Sequence, residues 1–145
     1  MVRVREAPGQ AVEMALRLRR FLNELLDLMR EDYPEQLKVI ARDANGLVYF
    51  QRLDKETATI EVRNRNIKIT GRVRKSEINI RVDMSRECLF KVLEGRMTLE
   101  EAINAGELKV FGDPLTLLRC YRIWERVISL ARTSPRFYFL TYKLR

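Results

Sequence analysis

The sequence contains no histidine. That removes the commonest general base and one of the commonest metal ligands. Ser85, Ser129 and Ser134 therefore have no imidazole to activate them. Glycine is also scarce, with six in 145 residues. Gly95, Gly106 and Gly112 stand singly, as stops for helices and strands, not in a run that could cradle a phosphate. Glu100 and Glu101 read as the first turn of a helix, where the dipole favours them. Long apolar runs are missing as well. The longest candidate, residues 11–29, is broken by Glu13, Arg17, Arg19, Arg20, Asn23, Glu24 and Asp27, so it cannot span a bilayer. The N-terminus carries no apolar core of signal-peptide type. These absences lead to the expectation of a cytoplasmic, non-catalytic protein with no metal and no cofactor.

Cysteine is limited to Cys88 and Cys120, both among apolar neighbours. Two buried thiols are the expectation, because an intracellular pair seldom bridges. A disulfide stays open, as does a thermophilic origin suggested by abundant Arg, Lys and Glu. Reactive thiols would need exposed, electropositive surroundings, and the neighbours here are apolar.

What the chain does have is 46% hydrophobic and 33% charged residues, the balance of a globular protein. Its 145 residues suit one domain, 1–145, large enough to bury roughly two-thirds of its unfolded surface without staples. The net charge is +8. The excess is local: residues 37–83 hold 11 basic against 6 acidic groups, and residues 113–145 hold 7 against 2. A basic surface of this kind suits an anionic head group, a membrane surface, RNA or simple solubility.

Along the chain, Val12, Ala15, Leu18, Leu22, Leu25, Leu26 and Met29 recur at helical spacing and predict an N-terminal helix within 7–32. Pro34 and Asn45-Gly46 bracket a second, short helix. Four stretches then alternate with period two: 47–53, 57–63, 67–70 and 78–82. The first puts Leu47, Tyr49 and Gln51 on one side and Val48, Phe50 and Arg52 on the other. Short turns at Asp54-Lys55-Glu56, Asn64-Arg65-Asn66 and Arg74-Lys75-Ser76 imply an antiparallel meander. Ser85 offers an N-cap for a helix stopped by Gly95, and Thr98 with Glu101 forms a capping box for a shorter one ending at Gly106. Leu108, Val110 and Phe111 predict a fifth strand. Asp113-Pro114 opens a long helix with an apolar stripe from Leu117 to Ala131, stopped by Pro135. The tail 136–145 alternates weakly and carries Phe137, Tyr138, Phe139 and Tyr142. It is open to three readings: an added strand, a cover over a ligand site, or a homodimer contact.

At this point the chain resembles the sterol carrier protein family. The matching stretches are Ile78-Asn-Ile-Arg-Val-Asp83, Val92-Leu-Glu-Gly-Arg-Met97, Thr98-Leu-Glu-Glu-Ala-Ile-Asn-Ala-Gly106 and Leu108-Lys-Val-Phe-Gly-Asp113, followed by an apolar helix. The resemblance is clearest over 78–124. It extends more loosely back to Pro34, with a family core of about 34–131. It implies an α+β fold in which a curved, mostly antiparallel five-stranded sheet packs against about five helices. It also implies an apolar tunnel that carries or presents a fatty acid, acyl chain, isoprenoid or sterol-like lipid.

On that resemblance the expected ligand-binding residues are Leu89, Phe90, Leu93, Met97, Leu99, Ile103, Leu117, Leu118, Tyr121 and Trp124. Tyr121 and Trp124 suit a rim, because each has a polar group that needs a partner. Met84 and Met97 suit an adaptable wall. The blander reading makes all of them ordinary core. An anionic head group could meet Arg119, Arg122 and Arg126, which equally read as a solvated helix face. The expected partner is thus a lipid or other apolar small molecule, with transient membrane contact. The alternative is a basic surface module for RNA or anionic membrane, built on Arg63, Arg65, Lys68, Arg72, Arg74 and Lys75. No aromatics interleave with those groups for base stacking, so a solvated sheet face is the simpler reading and nucleic acid is the less favoured partner.

Overall fold

The computed structural model describes residues 8–71 and 74–144, with side chains from Arg17 onward. Val12, Ala15 and Arg72, invoked above, have side chains outside that description. Helices α1 (Pro8–Asp32) and α2 (Pro34–Asp43) lead into strands β1 (Val48–Leu53), β2 (Glu56–Arg63) and β3 (Asn66–Thr70). A short 3-10 turn (Lys75–Glu77) precedes β4 (Ile80–Met84). Then come α3 (Arg86–Leu93), α4 (Leu99–Asn104), β5 (Leu108–Gly112), α5 (Pro114–Thr133), α6 (Pro135–Thr141) and a final 3-10 turn (Tyr142–Leu144).

The local signals act as their chemistry requires. Ser85 Oγ accepts from Cys88 N, Thr98 Oγ1 from Glu101 N, and Asp113 Oδ1 from Thr116 N, each satisfying an orphan helix donor. The β2–β3 hairpin turns on Asn64 and Arg65, with φ of 52° and 61°. Two successive positive-φ residues give the turn whose twist matches the strands it joins.

The sheet is mixed, in the order β3-β2-β1-β4-β5. Three of its four pairings are antiparallel, but β4 runs parallel to β1, with Tyr49 opposite Ile80 and Leu53 opposite Met84. The meander expected from short turns therefore stops at β3. The chain then returns across the sheet, so that β4 takes the free edge of β1 instead of extending from β3. Strand β4 also begins two residues later than the alternation suggests. Ile78 ends the 3-10 turn, and Asn79 starts the ladder by accepting the Val48 N–H on Oδ1 at 2.6 Å.

Register assigns the faces. Leu47, Tyr49, Gln51 and Leu53 share one face with Ala58, Ile60, Val62, Ile80, Val82 and Leu108. Helices cover that face, and the core lies between. Six α-helices are described, one more than expected. The extra one is α6, which replaces the strand considered for the tail. Its Phe137, Leu140 and Thr141, with Leu144 beyond it, are buried at helical spacing. Among the described residues no helix is long and apolar enough to cross a membrane.

Candidate ligand cavity

Between the sheet and the helices lies a cavity of about 250 Å³. Helix α1 gives it most of one wall, through Leu18, Phe21, Leu22, Leu25, Leu26 and Met29. These lie on successive turns, which explains why a single amphipathic helix can pave so long a surface. Helix α5 faces them with Ile123, Trp124, Val127 and Ile128, and α3 adds Leu89, Val92 and Leu93. Tyr49, Gln51 and Ile60 look in from the sheet, and Phe137 of α6 completes the enclosure.

The polar side chains in this wall are few and connected. The Trp124 and Tyr49 rings meet edge to face at 6.1 Å. The Tyr49 hydroxyl donates to Gln51 Oε1 at 2.6 Å, and Gln51 Nε2 donates to the Arg52 carbonyl at 2.9 Å. Burial, with a smaller contribution from Cys120, holds the Tyr49 phenol well above its ordinary pKa. It is therefore a neutral donor throughout the physiological range. The Cys120 thiol, also in the wall, is pushed up to about 11 by burial. Cys88 is raised by the same cause, and both cysteines are buried and free. Neither thiol is a thiolate at neutral pH.

No protein-family model matches the sequence, and no curated protein does. Comparison with solved structures is informative. The structure of UbiJ-SCP2, a ubiquinone synthesis protein, superposes with a TM-score of 0.59 at 21% identity, over 90% of this chain and 99% of that one. The chain has the sterol-carrier-protein fold. Two further structures overlap it less well. Apo sterol carrier protein 2 from Yarrowia lipolytica gives a TM-score of 0.48 at 16% identity, over 68% of this chain and 81% of that one. A conserved hypothetical protein of Thermus thermophilus, described as possibly a sterol carrier protein, gives 0.44 at 18%, over 90% and 92%.

On this sterol-carrier scaffold the ten expected ligand residues fall into three groups. Leu89, Leu93, Leu99 and Trp124 line the cavity, as does Met84. Phe90 packs against the core around α1 and α6, while Met97, Leu117 and Tyr121 pack against the core around α4 and β5. Tyr121 also donates to Glu100 Oε1 at 3.3 Å, away from the cavity wall. Ile103 and Leu118 are 42% and 50% exposed and do not line the cavity. Two of the three arginines offered for an anionic head group are engaged elsewhere. Arg119 donates to the Asp43 and Asn45 carbonyls at the end of α2, and Arg126 pairs with Asp43 at 3.8 Å. Arg122 is exposed, as are Arg63, Arg65, Lys68, Arg74 and Lys75.

The residues the sequence reading missed are the α1 wall, the Tyr49–Gln51 pair and Phe137. Gln51 had a visible signal: it is the one amide among Leu47, Tyr49 and Leu53 on the same side of β1.

A second polar cluster, gathered around one buried carboxylate, adjoins the cavity. Glu56 is 1% exposed and ion-paired with Arg86. Arg86 also donates to Asp54 Oδ2 at 3.2 Å and to the Leu144 carbonyl at 2.7 Å, which ties the end of the chain's last described turn to α3. Burial raises the Glu56 pKa, and Arg86 and then Arg17 oppose that rise.

Proposed function

We propose that this protein binds an apolar small molecule, a lipid, in the cavity and carries or presents it without transforming it. The observation that carries this reading is the wall itself: aliphatic and aromatic side chains with few polar groups and no ionised one among the described residues. Its volume sits just below the ~300–1,000 Å³ typical of small-molecule sites. Water held there would find few partners, whereas each methylene buried from water contributes about 0.8 kcal/mol. The sterol-carrier fold, and the absence of histidine or an ionised thiol near the cavity, support carriage over chemistry.

Native mass spectrometry of the purified protein, with solvent extraction, is expected to show a bound lipid. Titration with a long-chain hydrocarbon probe should shift the emission of Trp124, the only tryptophan. Val127→Phe, which fills the cavity from α5, should abolish that shift while changing stability by no more than about 1–3 kcal/mol. No extracted lipid together with unchanged Trp124 emission would overturn the reading.

A further inference from the structure

The hydrogen-bond order in the cavity wall says what kind of head group it accepts. The single phenolic proton of Tyr49 is committed to Gln51 Oε1. Gln51 is thereby oriented from both ends: its oxygen accepts from Tyr49 and its nitrogen donates to the Arg52 carbonyl. Turning the amide over would set Oε1 against that carbonyl oxygen, so the orientation is determined by chemistry. A glutamine amide has two N–H donors. One is used on Arg52, and none of the hydrogen bonds among the described residues uses the other.

The lining contains no Lys, Arg, Asp or Glu among the described residues. The half-buried guanidinium of Arg86 is committed to Asp54, Glu56 and Leu144, and Arg19, whose Nε is buried without a partner, does not line the cavity. Arg119 is committed to the end of α2. A carboxylate brought against this wall would find no countercharge among its lining residues, and burying it there would favour its protonated form.

From this we infer that the cavity selects an uncharged lipid carrying a carbonyl or hydroxyl oxygen, which Gln51 Nε2 recognises with its spare N–H. This rests on the proposal that the cavity takes an apolar ligand. The occupant is then a ketone, ester or alcohol on a hydrocarbon body, and ionised fatty acids are excluded.

The test uses four probes of equal chain length: a hydrocarbon, a methyl ketone, an alcohol and a carboxylic acid. Each competes with a neutral fluorescent lipid at pH 7.5. The ketone and alcohol should bind about three- to tenfold more tightly than the hydrocarbon, the gain of one hydrogen bond. The acid should bind on the order of a hundredfold more weakly than the ketone, and the gap should close as the pH falls. Gln51→Leu should retain hydrocarbon binding and lose the preference for the ketone. Tyr49→Phe, which frees the amide to turn, should weaken that preference without removing a bulky group. An ionised acid that binds as well as the ketone would overturn this inference, as would selectivity untouched by both substitutions. Either would leave apolar carriage standing. Failure of every probe, hydrocarbon included, would overturn both.

Discussion

Two polar clusters lie side by side on the covered face of the sheet, and they are built on opposite principles. In one, Glu56, Arg86 and Asp54 are charged, and they hold the Leu144 carbonyl. In the other, Trp124, Tyr49 and Gln51 are neutral and face the cavity. The register makes them near neighbours: Gln51 is opposite Ala58, and Leu53, the next inward position, is opposite Glu56. The charged cluster is bound up in structure, apart from Glu56 Oε1, which is buried without a hydrogen-bond partner. The neutral cluster retains hydrogen-bonding capacity. Charge is thus placed where the fold must be locked, and kept out of the space a hydrocarbon would fill.

The comparison can be broken most severely at Arg86. Arg86→Ala leaves Glu56 buried without its main countercharge and should cost about 3–5 kcal/mol at pH 7, measured by chemical denaturation. Without Arg86 the folded-state pKa of Glu56 rises further above its unfolded value. A raised carboxyl favours the folded state at low pH, and that contribution fades as the pH climbs through the folded pKa. The deficit of the variant should therefore shrink from pH 7 to pH 5. A deficit below about 1 kcal/mol, or one indifferent to pH, would contradict a charged lock. Tyr49→Phe probes the other cluster. It should cost about 1 kcal/mol from one neutral hydrogen bond, with no change between pH 5 and pH 8 because none of the three groups titrates there. A pH-dependent loss would show that the neutral cluster is linked to the charged one.

Smaller effects sharpen the contrast. Ser134 Oγ accepts from Phe137 N at 3.2 Å and caps α6. Ser134→Ala should cost about 1 kcal/mol and speed proteolysis after Tyr138 and Phe139, while leaving Arg86 paired. Thiol labelling at pH 7.5 should be slow at both cysteines, and a bound apolar ligand should slow it further at Cys120 alone. Cys120 lines the cavity and Cys88 does not. Equal protection of both would indicate general tightening instead of occupancy.

Local chemistry was readable from the sequence, and non-local choices were not. Ser85, Thr98 and Asp113 announced their helices because a cap is decided within three residues. The alternation in β1 to β3 was equally local. The partner of β4 is a competition between two edges of a growing sheet, which no short window records. The tail's strand reading fails for a different reason. Phe137 and Phe139 suggested period two, yet Phe137, Leu140, Thr141 and Leu144 are the residues that became buried. Of the expected ligand residues, Leu89 and Leu93 on α3, Leu99 and Trp124 reached the cavity. Ile103 and Leu118 did not, because their elements turn another side to it.

The parallel pairing of β4 with β1 has a consequence in time. Strands β1, β2 and β3 are joined by tight turns and can zip within microseconds. The bond between Val48 and Asn79 must close a separation of 31 residues, and such closure is slow relative to hairpin formation. Until it happens, the apolar edge of β1 stands open to any other strand, including one from a second unfinished molecule. The vulnerable moment of this protein's life is the wait for β4.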